Sequence, residues 1–391
     1  MRIYIWYPIL VSMALGFTFM NIPPVNRQFM EMMGVGYDGL SWFLSGLFWS
    51  HAFGQIPAGL IADRTNAWKT LVVGLLICLL ANILPFINPQ SVTLATALRF
   101  FLGAGTSLTF LATVKILLIL APSDKLVAVQ GWQGAGFSLG LLLPYLTLPH
   151  LGEEAWPYAY ILAVVLLAVS LATAFLLPRS RMEPSQPARP AAELKMTLKD
   201  LVTSKPIWFL GIFHGLSYGS LNNLGSWLPS IMADLDGLGD PAAWASAAVV
   251  VLFLGTFGRA FGGMFLSRFY RSQAVNGAVL IICILYLAMG LAGSRYMLLG
   301  SAMLMALACG ATYGGVFTLS ASVGGLYAAT AMGVMNMIGN LFNIFLTLIF
   351  GYVRQYTGQF GPSLLAAGIL GLLCWFIGRQ AVARADRDRT I

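Results

Sequence analysis

Three basic side chains, Arg99, Lys115 and Arg259, lie within long apolar segments of the sequence. By position, the 14 acidic residues fall in the segments between these apolar runs. A charge inside the apolar layer of a membrane costs roughly 2.5–3.5 kcal/mol on insertion scales, so it usually pairs with another group or serves a function. The sequence thus predicts that these cations have no carboxylate beside them, and an anionic ligand would be a natural counter-charge.

Arg259 is the strongest candidate for contact with such a ligand. It precedes the basic position Arg268 by nine residues, about 13 Å along a helix and near the middle of an apolar layer of ~30 Å. Lys115 lies near the end of its segment, where its ammonium could reach the membrane surface. A buried arginine can also be satisfied by backbone carbonyls, and the sequence leaves that alternative open for Arg99 and Arg259.

Uncharged polar side chains in the apolar segments are further candidates. His51 and Gln55 are four residues apart and therefore share one helix face. A histidine can also load and release a proton near neutral pH. Packing with one hydrogen bond is the alternative for each. The predicted substrate-binding residues are Arg259, Gln55, His51, His214, Asn222, Asn223, Asn336, Asn340 and Arg99.

The apolar segments that carry these residues are typical of membrane-spanning helices. The chain is 58% hydrophobic and only 9% charged, whereas a soluble domain has about 25% charged residues. The runs are long and continuous, which favours helices over a β-barrel. About twelve spans are predicted, at residues 4–25, 41–62, 69–88, 92–120, 125–148, 156–178, 206–231, 242–267, 274–293, 296–320, 327–350 and 361–378.

Lysine and arginine placement predicts the topology. Most of these residues fall in alternate connecting segments and at both ends, so both termini are expected in the cytoplasm, with the chain in a bacterial inner membrane. The net charge of +8 then reflects topology, and nucleic-acid binding is not needed to explain it. We expect an N-terminal six-helix bundle at 1–178, a cytoplasmic linker at 179–205, and a C-terminal bundle with a short basic tail at 206–391.

Signals of catalysis are missing from the sequence. The four cysteines lie in apolar segments without metal-ligand spacing, the three histidines are dispersed, and no nucleotide-binding glycine loop occurs. We therefore predict neither an enzyme nor a cofactor, and no ATP-driven pump.

A repeat relates the two halves of the sequence. Three positions recur at a constant offset: Gly54 with Gly258, Gly59 with Gly263, and Arg64 with Arg268. The stretch from Gly59 to Arg64, which includes Asp63, resembles the loop motif of the major facilitator superfamily. Arg99 and the glycines after it resemble that family's second motif. The segment around Asn336 and Asn340 resembles its anion:cation symporter branch.

The resemblance implies a fold of twelve transmembrane helices in two six-helix bundles with pseudo-two-fold symmetry. It also implies alternating access by a monomer in the lipid bilayer, with a conformational gate formed by Gly59, Asp63, Arg64, Gly263 and Arg268. The placement of Arg259 resembles the span-eight arginine of monocarboxylate, oxalate and nitrate porters. Nitrate porters also carry an arginine in span two, where this chain has Gln55.

The resulting expectation is a secondary active transporter of a small anionic organic solute. His51 or His214 could couple its movement to protons, and another coupling cation is possible. An exporter of drug-like or amphiphilic compounds, or a lipid flippase, is the alternative. A membrane sensor with a transporter-like fold is a more remote one.

Overall fold

The computed structural model describes residues 2–35, 37–152, 155–177, 198–236, 245–266 and 271–387. Helices make up nearly all of this described part, and it contains no strand. The α-helices are α1 (Arg2–Met20), α2 (Asn26–Met33), α3 (Tyr37–Arg64), α4 (Ala67–Ile83), α5 (Val92–Leu120), α6 (Leu126–Thr147), α7 (Trp156–Leu176), α8 (Leu198–Thr203), α9 (Lys205–His214), α10 (Ser220–Asp236), α11 (Ala245–Leu266), α12 (Arg271–Gly290), α13 (Arg295–Gly324), α14 (Ala328–Thr357) and α15 (Gly361–Arg387).

Among the described residues, each of the twelve predicted spans lies largely on helix. The seventh span consists of α9 and α10, joined by a π turn at Gly215–Gly219. Seven helical stretches among the described residues are long and apolar enough to cross a membrane, and two shorter apolar stretches lie in α1 and α11. The predicted all-α membrane protein is thereby confirmed.

One predicted span differs from the structure, and one predicted segment lies mostly outside the described residues. The first span was expected to reach residue 25, but α1 ends at Met20, and a 3-10 turn at Pro23–Val25 leads into the separate helix α2. The two prolines lack the backbone N–H groups that a continuous helix needs. Most of the predicted linker lies outside the described residues, and α8 covers only its last part.

Contacts between Cα atoms divide the chain into two compact units. Unit 1 comprises residues 1–123, 136–198 and 326–333; unit 2 comprises residues 124–135, 199–325 and 334–391. Helix α6 thus contributes its first part to unit 2 and its second part to unit 1. The predicted bundle boundaries remain a prediction.

Unit 1 has an apolar cluster around the short helix α2. Phe29 of α2 is buried against Phe43 of α3, with ring centroids 4.4 Å apart. The cluster consists of Ile22, Val25, Phe29, Met33, Phe43, Ala95, Leu148, Ala155, Ala159 and Tyr160.

Close helix approach in both units depends on glycine. A Cβ atom added at Gly16 of α1 would lie 2.9 Å from the Leu141 nitrogen and 3.0 Å from the Gly140 Cα of α6. In unit 2, a Cβ at Gly258 of α11 would lie 2.6 Å from the Leu307 carbonyl oxygen of α13. Small residues let the backbones of membrane helices pack directly.

This packing predicts opposite effects of two glycine-to-alanine substitutions. Gly16→Ala should lower the melting temperature of the purified protein in detergent, because the new methyl group collides with backbone atoms of α6. Gly300→Ala is the matched control: it meets no atom within 4 Å, and alanine favours a helix by about 1 kcal/mol. A Gly16→Ala protein as stable as the wild type would contradict the close packing of α1 and α6.

Candidate functional site

Arg259 lies in the interior of unit 2, with 2% of its surface exposed. Helix α11 carries it, and Gly310 of α13 lets the two backbones approach, since a Cβ there would lie 2.6 Å from the Arg259 nitrogen. One guanidinium nitrogen, Nη1, donates to the carbonyl oxygen of Gly134 in α6, 3.3 Å away. Three helices thus fix the position of this cation.

Two tyrosine rings flank the guanidinium. Its Cζ atom lies 5.0 Å from the ring centroid of Tyr313 and 5.8 Å from that of Tyr218. At these distances the negative face of an aromatic ring attracts a cation. The rings stabilise the positive charge without carrying an opposite charge themselves.

His214, at the end of α9, is buried against the same two rings. Its imidazole stacks on Tyr218 with centroids 5.4 Å apart and meets Tyr313 edge-on at 6.0 Å. It also interacts electrostatically with Arg259. The structure therefore brings the predicted residues His214 and Arg259 to one aromatic pair.

The hydrogen bond of His214 determines its tautomer. His214 Nε2 lies 3.1 Å from Asn336 Oδ1, and an amide oxygen only accepts. Nε2 therefore carries the hydrogen in the neutral ring, and Nδ1 holds a lone pair. Among the described residues, this buried Nδ1 has no hydrogen-bond partner.

The π turn between α9 and α10 sets the direction of Tyr218. A Cβ at Gly215 of this turn would lie 2.6 Å from the Phe342 Cβ, and one at Gly219 would lie 3.1 Å from the Asn343 Cα, so the turn packs closely on α14. Single π turns within α-helices are frequent at functional sites. Here the turn carries a tyrosine whose ring contacts both His214 and Arg259.

The predicted asparagines form a polar strip in unit 2. Asn223 Nδ2 donates to Asn343 Oδ1 at 3.2 Å, and Asn340 Nδ2 donates to the Asn336 carbonyl at 2.8 Å. Asn222 hydrogen-bonds the Tyr218 side chain. Asn222 is thus joined to Tyr218 and Asn336 to His214, whereas the bonds of Asn223 and Asn340 run to other asparagines.

Gln130 of α6 was missed by the sequence analysis. It is fully buried, and within the described structure neither its amide oxygen nor its amide nitrogen has a hydrogen-bond partner. It shares a helix face with Val127, which contacts Gly314, and with Gly134, which contacts Tyr313. An uncharged amide inside a predicted span was the signal that could have identified it.

His51 and Gln55 form a hydrogen-bonded chain in unit 1. Gln55 Nε2 donates to His51 Nε2 at 2.7 Å, and His51 Nδ1 donates to the Thr106 hydroxyl at 2.9 Å. That hydroxyl in turn donates to the Gly103 carbonyl. The prediction that the two residues share a face is confirmed, and this His51 ring is neutral.

Arg99 is bonded to the end of α1. Its guanidinium donates to the carbonyl oxygens of Thr18 and Phe19 at 3.0 and 3.1 Å, and to Asn21 Oδ1 at 3.0 Å. These carbonyls belong to the last turn of α1, which has no helical partners for them. Arg99 thereby caps α1; a contact with substrate remains a prediction.

The prediction that Lys115 has no carboxylate partner was wrong. Its Nζ lies 2.6 Å from Asp63 Oδ1, with 19% and 2% of the two side chains exposed. Asp63 was assigned to a loop, but α3 continues through Arg64 and carries the carboxylate into unit 1. A buried carboxylate beside a lysine removes the need for an external counter-charge there.

Asp63 also binds the start of α14. Its Oδ2 accepts from the Thr330 nitrogen and hydroxyl, both at 2.7 Å, and Gly59 packs against the Thr330 Cα. Arg64 is exposed, Gly263 lies in α11, and Arg268 lies outside the described residues. The gate role of these residues remains a prediction.

A protein-family model described as Major Facilitator Superfamily matches residues 9–347. The chain belongs to the Major Facilitator Superfamily. The predicted resemblance is confirmed, and with it a fold of twelve transmembrane helices in two bundles. Membership identifies the chain as an integral membrane transport protein.

Curated relatives in the family carry anion names. The chain is 27% identical to a probable sulfoacetate transporter of Cupriavidus necator, covering 90% of this chain and 87% of that one. It is 22% identical to a probable nitrate transporter of Staphylococcus epidermidis, covering 82% and 80%. The solved structure of a proton:xylose symporter matches with a TM-score of 0.80 at 14% identity, covering 95% and 94%; this likeness supports the fold alone.

The Asp63–Lys115 pair generates a stability prediction. Asp63→Asn and Lys115→Met should each lower the melting temperature, because each leaves a buried polar group without its partner. The double variant should lose less stability than the two single variants lose together. The difference, which is the coupling energy, should be roughly 0.5–3 kcal/mol. Lys69→Met, at an exposed lysine of α4, is the control. Strict additivity in the double variant would show that the ion pair does not couple the helices.

Proposed function

We propose that this protein is a secondary active transporter of a small organic anion, with Arg259 as the main anion-binding residue. The observation that carries the proposal is a buried guanidinium whose orientation is fixed by two tyrosine rings and one carbonyl. A guanidinium matches the planar geometry of carboxylates and related oxyanions. From its family membership we propose that the protein transports by alternating access.

The relatives support an acidic substrate. One is named for sulfoacetate and another for nitrate, and both are anions. The span-two position Gln55, where the resemblance gives nitrate porters an arginine, favours the organic anion over nitrate. We propose a compact carboxylate or sulfonate, moved together with a proton or another cation.

Further residues of the proposed site follow from their placement. In unit 2, His214 contacts both tyrosines, Asn222 bonds Tyr218 and Asn336 bonds His214, while Asn223 and Asn340 bond to other asparagines. Gln55, which lies in unit 1, is proposed from the sequence alone; its buried amide oxygen has no hydrogen-bond partner among the described residues. Amides and imidazoles of this kind orient an anion through hydrogen bonds while the arginine supplies the charge.

Arg259→Gln tests the proposal. Uptake of radiolabelled sulfoacetate into proteoliposomes should fall by at least about tenfold, since a charge-assisted hydrogen bond contributes about 1.5–3 kcal/mol. Arg259→Lys should keep part of the activity, because it retains the charge and loses the planar fork. Arg354→Gln is the matched control, as that arginine forms an exposed ion pair with Asp234. Uptake by Arg259→Gln at the wild-type level would overturn the assignment.

Gln130→Met separates a binding role from simple packing. Removing a buried amide that has no hydrogen-bond partner among the described residues should leave the melting temperature unchanged or higher, because about 1–3 kcal/mol of desolvation cost disappears. If Gln130 contacts the anion, KM for uptake should rise severalfold in the same variant. Gln273→Met, at an exposed glutamine of α12, is the control. Wild-type KM in Gln130→Met would exclude it from the site.

A further inference from the structure

We infer that unit 2 binds its anion together with one proton, held on Nδ1 of His214, and that the site therefore suits a dianion with two acidic groups. The inference rests on the proposed function and names the substrate class and the coupling of that same site. Three features carry it: the free lone pair of His214, its nearness to Arg259, and the neutral character of the remaining neighbours.

The lone pair of His214 is available for a proton. Because Nε2–H is committed to Asn336 Oδ1, a proton can add only at Nδ1. Among the described residues this atom is buried and has no hydrogen-bond partner. Protonation would thus need no rearrangement of the Asn336 bond, and it would create a new donor within the site.

A proton on His214 would place a second positive charge beside Arg259. Both side chains contact the rings of Tyr218 and Tyr313, and they interact electrostatically. Two like charges that contact the same two rings repel each other, and burial strengthens the repulsion. The doubly positive state is therefore unfavourable until an anion enters.

The described groups that contact His214 or interact with it electrostatically come from the π turn, α11, α13 and α14. They are Tyr218 of the π turn, Tyr313 and Phe317 of α13, Asn336 and Gly339 of α14, and Arg259 of α11. Of these, the tyrosines are titratable but neutral near pH 7, and Arg259 alone carries a charge. A bound anion would therefore have the largest effect on whether His214 binds a proton.

Anion binding and proton binding then favour each other. A monoanion compensates Arg259 alone, whereas a dianion compensates Arg259 and protonated His214 together. His214 is neutral in the free site. The protein should therefore take up one proton from solution when it binds a dianion. The apparent Kd should consequently rise about tenfold for each unit of increasing pH.

Proton uptake on anion binding tests the inference directly. Purified protein in weakly buffered detergent solution is titrated with sulfoacetate, a dianion near neutral pH, and with methanesulfonate, a monoanion, while a pH indicator reports proton uptake. The wild type should take up about one proton for each bound sulfoacetate and markedly less for methanesulfonate. The wild-type measurement stands even if no variant folds.

His214→Gln is the matched variant. The glutamine amide can still donate to Asn336 but cannot hold a proton, so its Kd for sulfoacetate should lose the pH dependence, and proton uptake should disappear. A pH gradient should accelerate sulfoacetate uptake into proteoliposomes by the wild type and not by the variant. Its melting temperature, compared with that of the wild type, confirms folding.

The outcomes distinguish the two proposals. Tight sulfoacetate binding to the wild type without proton uptake, or with equal proton uptake in His214→Gln, would overturn the role of His214 and leave the anion transporter intact. Failure of both probes to bind at any pH would instead count against the proposed function. Proton uptake equal for the monoanion and the dianion would refute the preference for two acidic groups.

Discussion

The burial of one positive charge is the constraint around which unit 2 is arranged. Arg259 is buried, and the free-energy cost of burying its charge must be offset by groups that favour the cation. Glycines at 258 and 310 let α11 and α13 approach, which brings Tyr313 to the guanidinium. The π turn does the same for Tyr218. Backbone geometry and side-chain chemistry thus serve one electrostatic requirement.

Most of the fold could be predicted because lipid imposes a simple pattern. A spanning helix needs a continuous apolar run, so the twelve spans were visible in the sequence. The predicted end of the first span was wrong because proline, which interrupts a helix, matters more there than the apolar character of the stretch. Pro23 and Pro24 end the first helix within an otherwise apolar stretch, and the following helix α2 is too short and too polar to show as a span.

The candidate site was predictable residue by residue, but its partners were not. The depth of Arg259 was predicted from its distance along a helix, and the shared face of His51 and Gln55 from their spacing, since both follow from helix geometry. Tyr218, Tyr313 and Gln130 were missed because they reach the site through contacts between helices. Lys115 was misjudged for the same reason: its carboxylate is 52 positions away in the sequence and adjacent only after folding.

Arg99 and Arg259 show why intramembrane charge alone does not identify a binding residue. Both are buried arginines, yet Arg99 donates to carbonyls at the end of α1, where the helix dipole already presents negative partial charge. Arg99 therefore replaces partners that the helix end lacks. Arg259 also donates to a carbonyl, that of Gly134, and its guanidinium lies over two tyrosine rings, whereas Arg99 lies over the single ring of Phe43. Because Arg99 satisfies carbonyls that the end of α1 leaves without helical partners, that helix end accounts for its position, and we propose Arg259 rather than Arg99 as the substrate contact.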